Sequence, residues 1–82
     1  MDEGIRQVIN QFPGREAHIR QLWAVDEDFK DLCQDYALCL DTLNRWSREA
    51  VPPARNAEYV SLRQRLEFEI EMRIRNVQLQ SE

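Results

Sequence analysis

Two adjacent prolines, Pro52 and Pro53, constrain this chain more than any other feature. Proline lacks a backbone N–H and disfavours α geometry in the residue before it, so no helix is expected to run through Val51-Pro52-Pro53-Ala54. On either side, apolar residues recur at helical spacing. Ile19, Leu22, Phe29, Leu32, Cys33, Tyr36, Leu40 and Leu43 form one stripe between Glu16 and Ser47. Tyr59, Leu62, Leu66, Ile70, Ile74 and Val77 form a second, from Ala57 to Gln78. Spacings of three and four are those of helices with one buried face. The prolines thus separate a first arm over residues 13–47 from a second over residues 56–79, joined by a turn over residues 48–55. Asn56 is placed to cap the second arm.

Asp26 interrupts the first stripe, in line with Leu22 and Phe29. It reads either as a polar residue in a continuous seam or as the N-cap of a new helix. The triplet Asp26-Glu27-Asp28 favours the cap, since acidic side chains in a first turn meet the positive end of the helix dipole. A kink or break is expected there. Upstream, Phe12-Pro13-Gly14 is a boundary, with Pro13 suited to a first helical turn. Ile5, Val8, Ile9 and Phe12 keep helical spacing, so residues 1–11 read as a short helix or tail that folds back or frays.

At about 1.5 Å per residue, arms over 27–47 and 57–78 would be about 32 and 33 Å long. The expected fold is all-α: an antiparallel helical hairpin with a short N-terminal helical extension, completed into a bundle by self-association. Trp23, Trp46, Phe68 and Met72 lie off the stripes and widen the apolar surface beyond what one partner helix covers. Trp46, Phe68, Ile70 and Met72 are the expected self-association residues.

Composition points the same way. At 82 residues and 9.8 kDa, a lone domain buries only about 60–65% of its unfolded surface and its core is marginal. Cys33 and Cys39, six apart on one helix, would lie about 240° apart around the axis and about 9 Å along it, too far to bridge. They match no zinc pattern either, and read as reduced, packed thiols. Two glycines and three prolines exclude collagen-like, low-complexity and loop-rich β chains. A net charge of −4 opposes nonspecific nucleic-acid binding. No apolar run approaches the roughly 20 residues of a membrane span, and the acidic N-terminus lacks a signal-like apolar region. A cytoplasmic protein is expected.

Phe12-Pro13, Ile19, Leu22, Asp26, Phe29, Leu32, Tyr36, Leu43, Arg45, Leu62, Arg65-Leu66 and Phe68 together form a longer pattern. In order and spacing it resembles the YdcH-like family of small bacterial proteins, which carry a domain of unknown function. The resemblance covers about residues 12–72. It implies a helical hairpin and a helix starting at Glu27, since the family often has proline directly after the aspartate matched by Asp26. It implies no activity. The chain departs from the pattern at Glu69-Ile70-Glu71, where the family reads Lys-Asp-Glu. A basic position has become acidic and an acidic one apolar, which puts any partner-binding role of that pair in doubt.

The sharpest electrostatic feature is an acidic ridge, Glu27, Asp28, Asp31 and Asp35. Like charges four apart on a helix repel by about 0.2–0.5 kcal/mol per pair. The ridge reads either as a solvated face or as a docking face for a basic protein, with a divalent cation the poorest option. In an antiparallel pair Arg65 is about 18 Å from Asp26, so it is expected to meet Asp35, Asp41 or a second subunit, or to rest along apolar surface with its head in water. His18 reads as an exposed helix position. No Gly-rich phosphate loop, Ser/His/Asp set or Cys/His pair is present. The arginines Arg63, Arg65, Arg73 and Arg75 alternate with Glu67, Glu69 and Glu71, as on a salt-bridged surface. The expected function is a non-enzymatic protein–protein interaction module or small adaptor, homo-oligomeric, without cofactor or metal. The alternative is a nucleic-acid-associated regulatory protein using its arginines.

Overall fold

A computed structural model describes residues 3–80, with side chains from 4 to 77; residues 1 and 2 of the expected 1–11 segment lie outside it. The protein is all-α. Its elements are α1 (Glu3–Gln11), α2 (Glu16–Val25), α3 (Glu27–Trp46) and α4 (Pro53–Gln80), with no strand among the described residues.

Each boundary has a local cause. Between α1 and α2, Gly14 adopts φ +84°, a left-handed conformation that glycine reaches without the Cβ penalty. Pro13 lies in this turn and not, as expected, in the first turn of a helix. The break at Asp26 is real. Its backbone is extended (φ −124°, ψ 104°), and its N–H closes α2 by donating to the Leu22 carbonyl at 2.8 Å. Its carboxylate then opens α3, accepting from the Phe29 N–H at 3.2 Å. One short polar side chain thus serves both helix ends.

The second arm departs from expectation. It begins at Pro53, and Asn56 lies inside the helix, where its N–H donates to the Pro52 carbonyl at 3.2 Å. Proline costs nothing at a first helical position, because that N–H would have no intrahelical partner. The arms are therefore unequal, 20 residues in α3 against 28 in α4.

α3 and α4 pack along each other in opposite senses. Asp26 meets Arg73, Tyr36 meets Glu67 and Cys39 meets Tyr59, so rising numbers on one helix match falling numbers on the other. α1 packs on α3, and α2 on both α3 and α4. Ile5, Val8, Ile19, Leu22, Phe29, Leu32, Cys33, Tyr36, Ile70 and Ile74 form the core, each 8% exposed or less. Phe12 closes its upper edge, its ring stacked on Tyr36 at 6.2 Å between centroids. The core is off-centre. On α4 the fully buried residues lie in the C-terminal half, while Tyr59, Leu62 and Leu66 in the N-terminal half are half-buried. The molecule measures 48 × 24 × 22 Å.

Ile70 corrects an expectation. It is not a self-association residue: it is wholly buried within the single chain, in a core that α4 shares with the α2 and α3 helices it packs on. Trp46 is half-buried and packs edge-on against Tyr59, with centroids 4.7 Å apart.

Candidate interaction surfaces

Among the interior polar groups Tyr36 and Cys39 are hydrogen-bonded, while the buried Arg63 Nε has no hydrogen-bond partner among the described residues. The Tyr36 hydroxyl donates to Glu67 Oε2 at 2.6 Å. Burial, then that bond to an anionic acceptor, pushes its ionisation above the usual phenol range. Arg63 Nε lies 3.9 Å from the same carboxylate. Both cysteines are free and buried. Burial raises the Cys33 thiol to about 12, and Cys39 is raised for the same leading cause. The Cys39 thiol also donates to the Tyr59 carbonyl at 3.4 Å. A thiol held protonated is a poor nucleophile and a poor metal ligand. Among the described residues no cluster of three His, Cys, Asp or Glu could hold a metal ion. His18 is half-buried, not exposed as expected.

The arginines divide into two groups. Arg15 and Arg75 both pair with Glu71, Arg73 reaches Asp26 at 3.5 Å, and Arg20 pairs with Glu16 at 2.8 Å. Arg65 is exposed and makes no ion pair among the described residues, so neither Asp35 nor Asp41 meets it. Lys30 sits over the Trp23 ring at 5.7 Å, within cation–π range.

Two surfaces remain open. The first lies beside the seam of α3 and α4. Asp35, Leu38, Cys39, Thr42, Tyr59, Leu62 and Leu66 line a groove of about 250 Å³. Leu38, one turn past Asp35 on the outer edge of α3, is 66% exposed. The ridge residues Glu27, Asp28, Asp31 and Asp35 are all exposed, and none forms an ion pair among the described residues. Ridge and groove therefore meet at Asp35. The juxtaposition depends on where α4 lies, so residue spacing in α3 alone could not find it. Leu38 falls off the first stripe, and that was its one signal in the sequence.

The second surface is the outward face of α4. Phe68 is 66% exposed and Met72 is 42% exposed. At about 100° per residue they lie opposite Ile70 and Ile74, which face the core. Among the described residues no element packs over the exposed part of either side chain. Of the expected association residues, Phe68 and Met72 are brought together here, while Ile70 is buried in the core and Trp46 is half-buried against Tyr59.

No helix among the described residues is long and apolar enough to cross a membrane. No protein-family model, curated protein or solved structure matches the chain.

Proposed function

We infer that this chain is a non-enzymatic interaction module, a helical hairpin buttressed by α1 and α2, that assembles through apolar helix faces and selects partners by charge. One observation carries the reading: a fold that buries its core leaves Phe68 largely exposed and Met72 partly exposed on the outside of α4. An exposed Phe one turn from a partly exposed Met is a small anchor for a second helix, of the kind that dominates interface energetics. The opposed register of α3 and α4 supports the hairpin. The ordered pattern from Phe12 to Phe68 supports a divergent relationship to the YdcH-like family. Two free buried thiols fit the reducing cytoplasm.

Sedimentation equilibrium over tens to hundreds of micromolar tests the assembly. The weight-average mass should climb above 9.8 kDa, and Phe68→Ser with Met72→Ser should return it to the monomer without lowering helicity. A wild-type chain that stays monomeric over that range overturns the proposal.

The ridge supplies the selectivity. Unpaired carboxylates along the rim of an apolar groove suit an amphipathic helix with lysine or arginine beside its apolar stripe. A Lys/Leu helical peptide titrated onto the protein should bind more weakly as salt rises. Asp31→Lys with Asp35→Lys should weaken it at least about tenfold at low salt, given that close like charges across an interface cost several kcal/mol. Equal affinity for both proteins would return the ridge to a merely solvated face.

A further inference from the structure

The outward face of α4 reads as a seam with a direction. Glu58, Ser61, Arg65, Phe68, Met72 and Arg75 follow one another at spacings of three, four, three, four and three, and all six are exposed. That alternation is the spacing of positions that meet between coiled helices, and on α4 it confines the six to a stripe about 100° wide and about 26 Å long, turned away from the core. The seam is acidic at one end and basic at the other, with its two large apolar residues in the second half. Arg75 touches Glu71 at 3.5 Å yet keeps its side chain 64% exposed.

We propose that this seam pairs with the same seam of a second copy of the chain, antiparallel, about a two-fold axis between positions 66 and 67. The inference rests on the assembly reading above and gives it an orientation. In that register each position faces the one that sums with it to 133. Glu58 meets Arg75 of the second copy, and Arg75 meets its Glu58. Ser61 lies against Met72, leaving room for the longer side chain. Arg65 lies over Phe68, where a guanidinium is attracted to the face of a ring. Every contact occurs twice, as a two-fold interface requires.

A parallel pair would set Glu58 against Glu58, Arg65 against Arg65 and Arg75 against Arg75. Three like-charge contacts oppose it, so the same residues that favour one orientation exclude the other. An unrelated partner would need a matching charge gradient of its own. A second copy has one by symmetry.

Charge reversal tests the arrangement. Glu58→Arg alone places Arg against Arg, and Arg75→Glu alone places Glu against Glu. Each should raise the dimer dissociation constant about tenfold, because two symmetric contacts are lost together. The double variant, Glu58→Arg with Arg75→Glu, should recover wild-type dimerisation. An equimolar mixture of the two single variants should form heterodimers in preference to either homodimer. Orientation has a separate readout. Mild oxidation should cross-link a mixture of Ser61→Cys and Met72→Cys chains faster than either chain alone. Were Ser61→Cys alone to cross-link fastest, the pairing would be parallel. Dimerisation that Phe68→Ser abolishes but neither charge reversal alters would overturn the antiparallel register and leave assembly standing. A monomeric wild type would overturn both.

Discussion

Replacing Phe29 by Ala should lower the unfolding free energy by about 3–5 kcal/mol, the usual cost of emptying a buried aromatic site. Phe29 is fully buried among Leu22, Leu32 and Ile74 in the core cluster. It also stands at the start of α3, where its N–H is the one Asp26 caps. Its ring therefore anchors the first turn of α3 as well as filling the core. A small domain has about 5–15 kcal/mol in all, and one of this size sits low in that range. The variant should melt at least about 12 °C below wild type, at roughly 4 °C per kcal/mol. Phe68→Ala, which removes the same ring from an exposed position, should change monomer stability by no more than about 0.5 kcal/mol. Urea titrations followed by circular dichroism, at concentrations where the chain is monomeric, measure both. Equal effects at the two sites would mean that the core does not lie where the structure puts it.

Alkaline pH should destabilise the folded protein, because burial of Cys33 favours its protonated form. Its thiol stands at about 12 folded against an ordinary 9.0. A raised folded value means that the folded state holds the proton more tightly. The stabilisation is present in full below about pH 9 and is lost as pH rises from there toward 12. At about 1.4 kcal/mol per unit, the loss reaches a few kcal/mol across the window. Cys39 and Tyr36 are displaced the same way and add to it. Denaturation midpoints should hold steady from pH 7 to about 9 and then fall. Cys33→Ala should flatten that fall while costing only a modest packing loss at pH 7. Wild-type midpoints unchanged up to pH 11, or an unchanged slope in the variant, would refute the linkage.

Much of this architecture could be read from spacing. The interval between Leu22 and Phe29 put a polar residue in a buried line, and the neighbouring acids identified it as a cap; the break at Asp26 followed. The stripe through Tyr59, Leu66, Ile70 and Ile74 did mark the inner face of α4. The failures share a cause. Pro53 was read as a breaker because proline forbids helix interior, but the same missing N–H makes it a good first residue. Asn56 reads as a cap on residue preference alone, and that preference yields to a helix already started three residues earlier. Ile70 was given to a second subunit because two amphipathic arms cannot cover each other. That shortage is met by α1 and α2, whose short apolar stretches carry little signal until they are docked. Phe68 and Met72 were legible as surplus apolar surface. The charge gradient around them needed the inner face fixed first, since only then do Glu58 and Arg75 fall on the same outward stripe of α4.

The order of the packing partners bears on how quickly the chain can find its structure. α1 touches α2 and α3, α2 touches α3 and α4, and α3 touches α4, but α1 and α4 do not pack together. Each helix thus docks only onto helices one or two places away in the chain. The connections closed on docking are short, and loop-closure entropy grows only slowly with their length. A topology built from such near-neighbour pairings places the chain with the rapid folders, whose search finishes within microseconds to milliseconds. Early collapse would hide Ile70 and Ile74 promptly, leaving Phe68 and Met72 as the apolar residues still in water when two finished chains meet.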